Sequence, residues 1–165
     1  MIFVTVGGQM PFDRMVKTVD KWAMDRSRGD VFAQIGSTDY RPSCIQWTRF
    51  LDPAEFKHRF KEARVIVAHA GTGSIITALQ LGKPIVVMPR RASLGETRND
   101  HQVATAEQFR RFESVVVARD EEELPARLDT IDQHIGRLAV GPYASSELLG
   151  ALREFIDGVD PKTGS

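Results

Sequence analysis

At 165 residues, with 42% hydrophobic and 27% charged side chains, the chain has the size and make-up of one globular domain, which excludes a disordered or fibrous protein. Its 22 basic and 22 acidic residues cancel to a net charge of +0, so it lacks the basic surplus that drives nucleic-acid binding. A single cysteine, Cys44, excludes an intramolecular disulfide and a cysteine-built metal cage.

The first predicted element is a strand over 2–6. It has no basic flank or long apolar stretch of an export signal. A helix follows over 12–23, with Met15, Val16, Val19, Trp22 and Ala23 on one face at the helical period. Strands are predicted over 31–35 and 45–50, then a helix over 53–63 opened by Asp52-Pro53, a good cap and first-turn pair. The next strand, 65–68, leads to a helix over 74–81 stopped by Gly82-Lys83-Pro84. Strand 85–88, helix 101–112, strand 115–118 and helix 122–135 complete the alternation. A last helix is expected over 145–156, so that the domain covers 1–157 and a polar tail covers 158–165. Apolar runs such as Ile85–Met88 are far shorter than the roughly 18 residues of a membrane span. The expectation is an α/β fold: a single Rossmann-like parallel sheet with helices on both faces. It is expected in the cytoplasm, reaching a membrane only peripherally, through a partner. The balanced charge leaves little repulsion between copies, which favours work in a complex and a homo-oligomer when the chain is alone.

In such sheets ligands bind beyond the carboxyl ends of the strands, and three segments fall there. Gly7-Gly8-Gln9 follows the first strand and permits close approach of backbone to an anion, although a plain strand-to-helix turn reads the same. It is neither a Walker loop nor a dinucleotide fingerprint, for lack of Gly-Lys-Ser/Thr and of a third glycine. The second segment, HAGTGSIITALQLGKP over 69–84, places Gly71, Thr72, Gly73 and Ser74 at a helix amino terminus, a good diphosphate cradle. His69 ends the strand before it and can donate to a phosphate; on its own it would read as a satisfied, half-buried histidine. The third segment, 90–99, is a long loop entering a helix at Asp100-His101-Gln102 and suits hydroxyl recognition. Its Arg90-Arg91 pair reads as a solvated surface feature.

HAGTGS, GKP and NDHQ, in this order, resemble the carboxyl-terminal domain of family 28 glycosyltransferases. The resemblance runs from Ile2 to about Phe112 and is closer to the small soluble subunits of split members. Those are the donor subunit of the dolichol-linked N-acetylglucosaminyltransferase and its exopolysaccharide counterparts. It implies a fold equivalent to the carboxyl-terminal half of a GT-B enzyme. Gly7, Gly8 and Gln9, with His69, Gly71, Gly73 and Ser74, would then meet the donor's diphosphate. Leu51 would face the uracil, and His101 and Gln102 the donor sugar. The family commonly has a glutamate for the ribose where this chain has Thr77, which offers one oxygen in place of a carboxylate.

The implied reaction is inverting transfer from a UDP-sugar donor to a lipid-linked sugar acceptor, a polyprenyl-diphosphate type, in exopolysaccharide or glycolipid synthesis. It needs no cofactor and no metal, and a membrane-anchored acceptor-binding glycosyltransferase subunit as partner. No single general base stands out: His69, His101 and the partner subunit are the candidates. Two rivals remain at this level. One is a non-catalytic nucleotide-binding or assembly subunit, favoured by Thr77. The other is a sugar-nucleotide epimerase, disfavoured because that architecture needs two domains.

Overall fold

The computed structural model describes residues 1–8, 10–138, 150 and 153. In chain order the elements are β1 (Ile2–Thr5), α1 (Asp13–Asp25), β2 (Val31–Gln34), β3 (Gln46–Thr48), α2 (Pro53–Glu62), β4 (Val65–His69), α3 (Thr72–Gln80), β5 (Ile85–Met88), α4 (His101–Phe109), β6 (Val115–Val117) and α5 (Leu124–Leu138). The strands form one six-stranded sheet in the order β3-β2-β1-β4-β5-β6, parallel throughout. β1 lies at its centre, Ile2 paired with Val31 on one side and Val65 on the other.

The pleat sorts each strand's side chains onto two faces, and both faces are covered. Ile2, Val4, Val65, Val67, Val86 and Met88 pack with α1 and α5. Phe3, Ile66, Ala68, Ile85 and Val87 pack with α2, α3 and α4 through Phe60, Ile75 and Phe109. Phe3 meets Phe56 and Phe60 edge-on at centroid distances of 5.5 and 6.2 Å, contacts worth about 0.5–1.5 kcal/mol each beyond their burial. Two-sided burial is why these strands read as continuous apolar runs.

The boundaries differ from the sequence reading at three informative places. β3 is short and its Gln46 exposed, because an edge strand is paired on one side only. α3 starts at Thr72, two residues earlier than expected, with Gly71 as its cap. α4 ends at Phe109, where the amide of Phe112 turns back onto the Phe109 carbonyl. The β2–β3 crossover is ordered by the buried carboxylate of Asp20 on α1, which accepts from the Tyr40 hydroxyl and from the amides of Ser43, Cys44 and Ile45. Burial pulls the pKa of Asp20 up, and these donors outweigh it, leaving the carboxyl below its ordinary value. The expected terminal helix and tail lie outside the described residues, except for Gly150 and Arg153, which are helical.

Candidate active site

From the sheet's centre the chain runs outward through β2 and β3 on one side and through β5 and β6 on the other. β1 and β4 are therefore the switch point, and the crevice opens beyond their carboxyl ends. Gly7 follows β1 and Gly71 follows β4, so two turns distant in sequence stand side by side. Between them lies the imidazole of His69, the last residue of β4. A Cβ on Gly7 would stand 2.6 Å from His69 Nε2, and Gly7 also has φ +80°. A Cβ on Gly71 would overlap Cε1 and come within 2.9 Å of Nδ1. Both glycines are demanded by the ring they enclose.

The Gly7 turn is held by buried polar groups. The Thr5 hydroxyl accepts from the Gly7 amide at 3.2 Å and donates to Gln34 Oε1 at 2.7 Å. Gln34 Nε2 donates to the carbonyls of Gly7 and Arg49. Arg90 corrects the sequence reading: it is 5% exposed rather than solvated. Its guanidinium stacks on Phe12 at 4.8 Å and donates to the carbonyls of Val6 (2.6 Å), Met10 (2.7 Å) and Pro11 (2.7 Å). Five fixed donors match such a nest of carbonyls, which lysine could not. Arg91 is half-buried and donates to the Arg119 carbonyl.

Burial, reinforced by the nearby Arg90 cation and opposed by the bond to Gln102, pushes the pKa of His69 down to about 4. The ring is neutral at physiological pH. In the unfolded chain a histidine titrates at about 6.5, so the unfolded state binds the proton first. The contribution of His69 to stability is therefore fully present above that value and is lost as the pH falls from about 6.5 to about 4. Urea titrations across this window should show a shallower decline for His69→Gln than for the parent chain. An identical pH slope would contradict the depressed pKa.

Gly71 caps α3 without a side-chain bond, so the first-turn amides of Thr72, Gly73 and Ser74 have no acceptor among the described residues. They carry the positive end of the helix dipole. A Cβ on Gly73 would meet nothing within 4 Å. The hydroxyl of Thr77 is used locally, donating to the Gly73 carbonyl at 2.8 Å.

A cleft of about 160 Å³ is lined by Gly7, Gly8, His69, Arg90, Thr97 and Gln102. Gln102 lies inside it, its Nε2 3.1 Å from His69 Nδ1 and its Oε1 accepting from the Arg90 amide at 3.1 Å. His101 is exposed at the first position of α4 and is not among the cleft's lining residues. Leu51 is half-buried against the α2–α4 core layer. Gln9 lies outside the described residues. Sequence reasoning missed Thr5, Gln34, the burial of Arg90 and the ion pair of Arg14 with Glu96 at 2.8 Å, which ties α1 to the loop carrying Thr97. Buried polar side chains at strand ends were the only available signal for the first two. Among the described residues no helix is long and apolar enough to cross a membrane.

Residues 1–145 match the model of the glycosyltransferase family 28 C-terminal domain. The chain is 25% identical over 135 residues to the UDP-N-acetylglucosamine transferase subunit ALG13 of Yarrowia lipolytica, a match covering 73% of this chain and 65% of that relative. The crystal structure of the glycotransferase of kitacinnamycin superposes with a TM-score of 0.61 at 23% identity, over 93% of this chain and 38% of that one. The solution structure of ALG13 superposes with a TM-score of 0.62 at 18% identity, over 96% of both chains. These two likenesses establish the fold, that of one half of a GT-B glycosyltransferase. The chain, with its glycine turns closed around a strand-end histidine, belongs to the glycosyltransferase family 28 C-terminal domains.

Proposed function

We propose that this chain is the donor-binding catalytic subunit of a two-component inverting glycosyltransferase. It takes a sugar from a UDP-sugar and, with a membrane-anchored acceptor-binding subunit, passes it to a polyprenyl-diphosphate-linked acceptor in exopolysaccharide or glycolipid synthesis. The observation that carries the reading lies at the switch point: Gly7 and Gly71 close on His69, and Gly71 caps α3, whose first-turn amides have no acceptor among the described residues. Likeness to the ALG13 transferase subunit supports the split arrangement.

In the reaction the acceptor oxygen attacks the anomeric carbon from the face opposite the diphosphate. The bond from that carbon to the leaving phosphate oxygen breaks, UDP departs, and the acceptor's proton passes to a base. Charge growing on the diphosphate is met by the amides of Thr72, Gly73 and Ser74, the Ser74 hydroxyl and His69, an arrangement that uses no metal ion. His69 is a poor base, because a pKa of about 4 leaves it too weak to take a hydroxyl proton near pH 7. His101, exposed at the start of α4, and the partner subunit remain to supply that group. The acceptor must lie roughly 3–3.5 Å from the anomeric carbon, and this single domain offers only the donor wall of the cleft.

Thr77 favours a second reading, a non-catalytic assembly subunit, because its only hydroxyl is bonded to its own helix. Reconstitution separates the two. Alone, the chain is expected to bind UDP weakly and to transfer nothing to a lipid-linked acceptor. Adding the partner should give turnover that survives excess EDTA. Robust transfer by the chain alone would overturn the two-component reading. A chain that binds no UDP-sugar in calorimetry, in a complex that still turns over, would establish the assembly reading instead.

A further inference from the structure

We propose that Gln102 is a positioning residue for the leaving diphosphate: it acts through His69, holding the ring as the tautomer with its proton on Nε2. The proposal rests on the donor-binding reading above and deepens it.

The argument begins with Arg90, whose backbone amide can only donate. The side-chain atom of Gln102 that it meets at 3.1 Å must therefore be the carbonyl oxygen, which fixes the orientation of the whole carboxamide. The amide nitrogen of Gln102 is then the group facing His69 Nδ1 at 3.1 Å, and it too can only donate. Two donors cannot share one hydrogen bond, so Nδ1 carries the lone pair and the proton sits on Nε2. Nε2 is the ring atom nearest the space a Cβ on Gly7 would fill, beside the glycine turn that lines the cleft. A diphosphate oxygen arriving there meets an N–H. The opposite tautomer would present a lone pair to it and repel it.

The ring's neutrality makes this choice matter, since an imidazolium would donate from both nitrogens regardless of Gln102. Two charged groups share the cleft with the ring. Arg90, at the end of β5, disfavours a second positive charge, while the carboxylate of Glu96 is held by Arg14 and by the Arg91 amide. The described residues of the Gly7 turn and the first turn of α3 bring no titratable side chain. Gln102 thus spends its carbonyl and one amide proton on Arg90 and His69, a different use from the sugar contact that the family resemblance implied for it.

Two measurements on the full chain test this. Long-range proton–nitrogen NMR of the free protein, with the His69 signal identified by its loss in His69→Gln, reads the tautomer without any substrate. From pH 6 to 8 the parent should show an unprotonated Nδ1 and a protonated Nε2. Gln102→Glu keeps an acceptor for the Arg90 amide but offers an acceptor to Nδ1 also. It should move the proton to Nδ1 at pH 8 and raise the pKa of the ring towards neutrality. Calorimetric binding of UDP-N-acetylglucosamine, whose diphosphate does not titrate in this range, should be flat with pH for the parent. For Gln102→Glu it should be weaker by about tenfold at pH 8 and recover towards pH 6 as Nε2 regains its proton. Gln102→Met, neutral and of similar length, should give mixed tautomers and a pH-independent loss of a few-fold, and serves if the glutamate variant does not fold. A parent ring protonated on Nδ1, or a Gln102→Glu variant with unchanged tautomer and no pH step, would overturn the proposal. If the parent binds no UDP-sugar, the donor reading fails, while the NMR signal still decides the tautomer.

Discussion

Gly71→Ala is expected to weaken UDP-sugar binding by on the order of 100-fold, the upper scale of losing one hydrogen bond to a charged group. The backbone is not the obstacle, because Gly71 has φ −81° and ψ 136°, which alanine adopts freely. The obstacle is the imidazole of His69, which the new methyl would overlap at Cε1. Gly7 bounds the ring on its other side and Gln102 holds Nδ1, so the ring can only swing out of its slot and break that bond. Overpacking of this kind costs about 1–3 kcal/mol in stability, visible as a lowered melting temperature. Gly73→Val is the informative contrast. Its Cβ would meet open space at a residue with no positive φ, so the fold should melt as the parent does. The added methyls would instead crowd the first-turn amides of the proposed diphosphate site, and binding should be lost all the same. Thermal melts with calorimetry separate the two outcomes, and parent-like UDP-sugar binding by Gly73→Val would place the cradle elsewhere.

Arg90→Met should lower the melting temperature by on the order of 10 °C. The guanidinium satisfies the carbonyls of Val6, Met10 and Pro11, and the Val6 bond is buried. Leaving such acceptors without donors costs about 1–3 kcal/mol each where water cannot replace the protein. A total of about 4 kcal/mol corresponds to that shift in a domain of this size. The loss should spread to function, since these carbonyls belong to the segment that begins with the Gly7 turn. Removing the cation should also let the pKa of His69 rise. Arg90→Lys is expected to recover only part of the melting temperature, because one ammonium cannot reach three divergent carbonyls as a fork does. An unchanged melting curve for Arg90→Met would mean that the turn is held without it.

The strands at the centre of the sheet were legible in the sequence because a parallel strand covered on both faces must be apolar at every position. Ile2 to Val4, Val65 to Ala68 and Ile85 to Met88 are such runs. The amino terminus of α3 was legible for a related reason: glycines and hydroxyls clustered after a buried strand are residue types that a helix amino terminus selects. The start of α3 was set two residues late, at Ser74, because Gly71 caps the helix without any side-chain signal.

Arg90 was legible only in part, as the first residue of the third segment. Its burial depends on carbonyls of the β1–α1 turn, some 80 positions away, that are delivered when β1 and β5 take their places in one sheet. Backbone carbonyls belong to every residue and leave no mark in composition or spacing, so nothing local distinguishes this arginine from its solvated kind. The same holds for His69 and Gln102. Each is visible as a polar residue at a strand end or helix start, but the neutral state of one and the orientation of the other arise from burial and from a single amide at Arg90. Residue types that a fold requires locally can be read along the chain; protonation and hydrogen-bond direction belong to the three-dimensional surroundings that the folded sheet brings together.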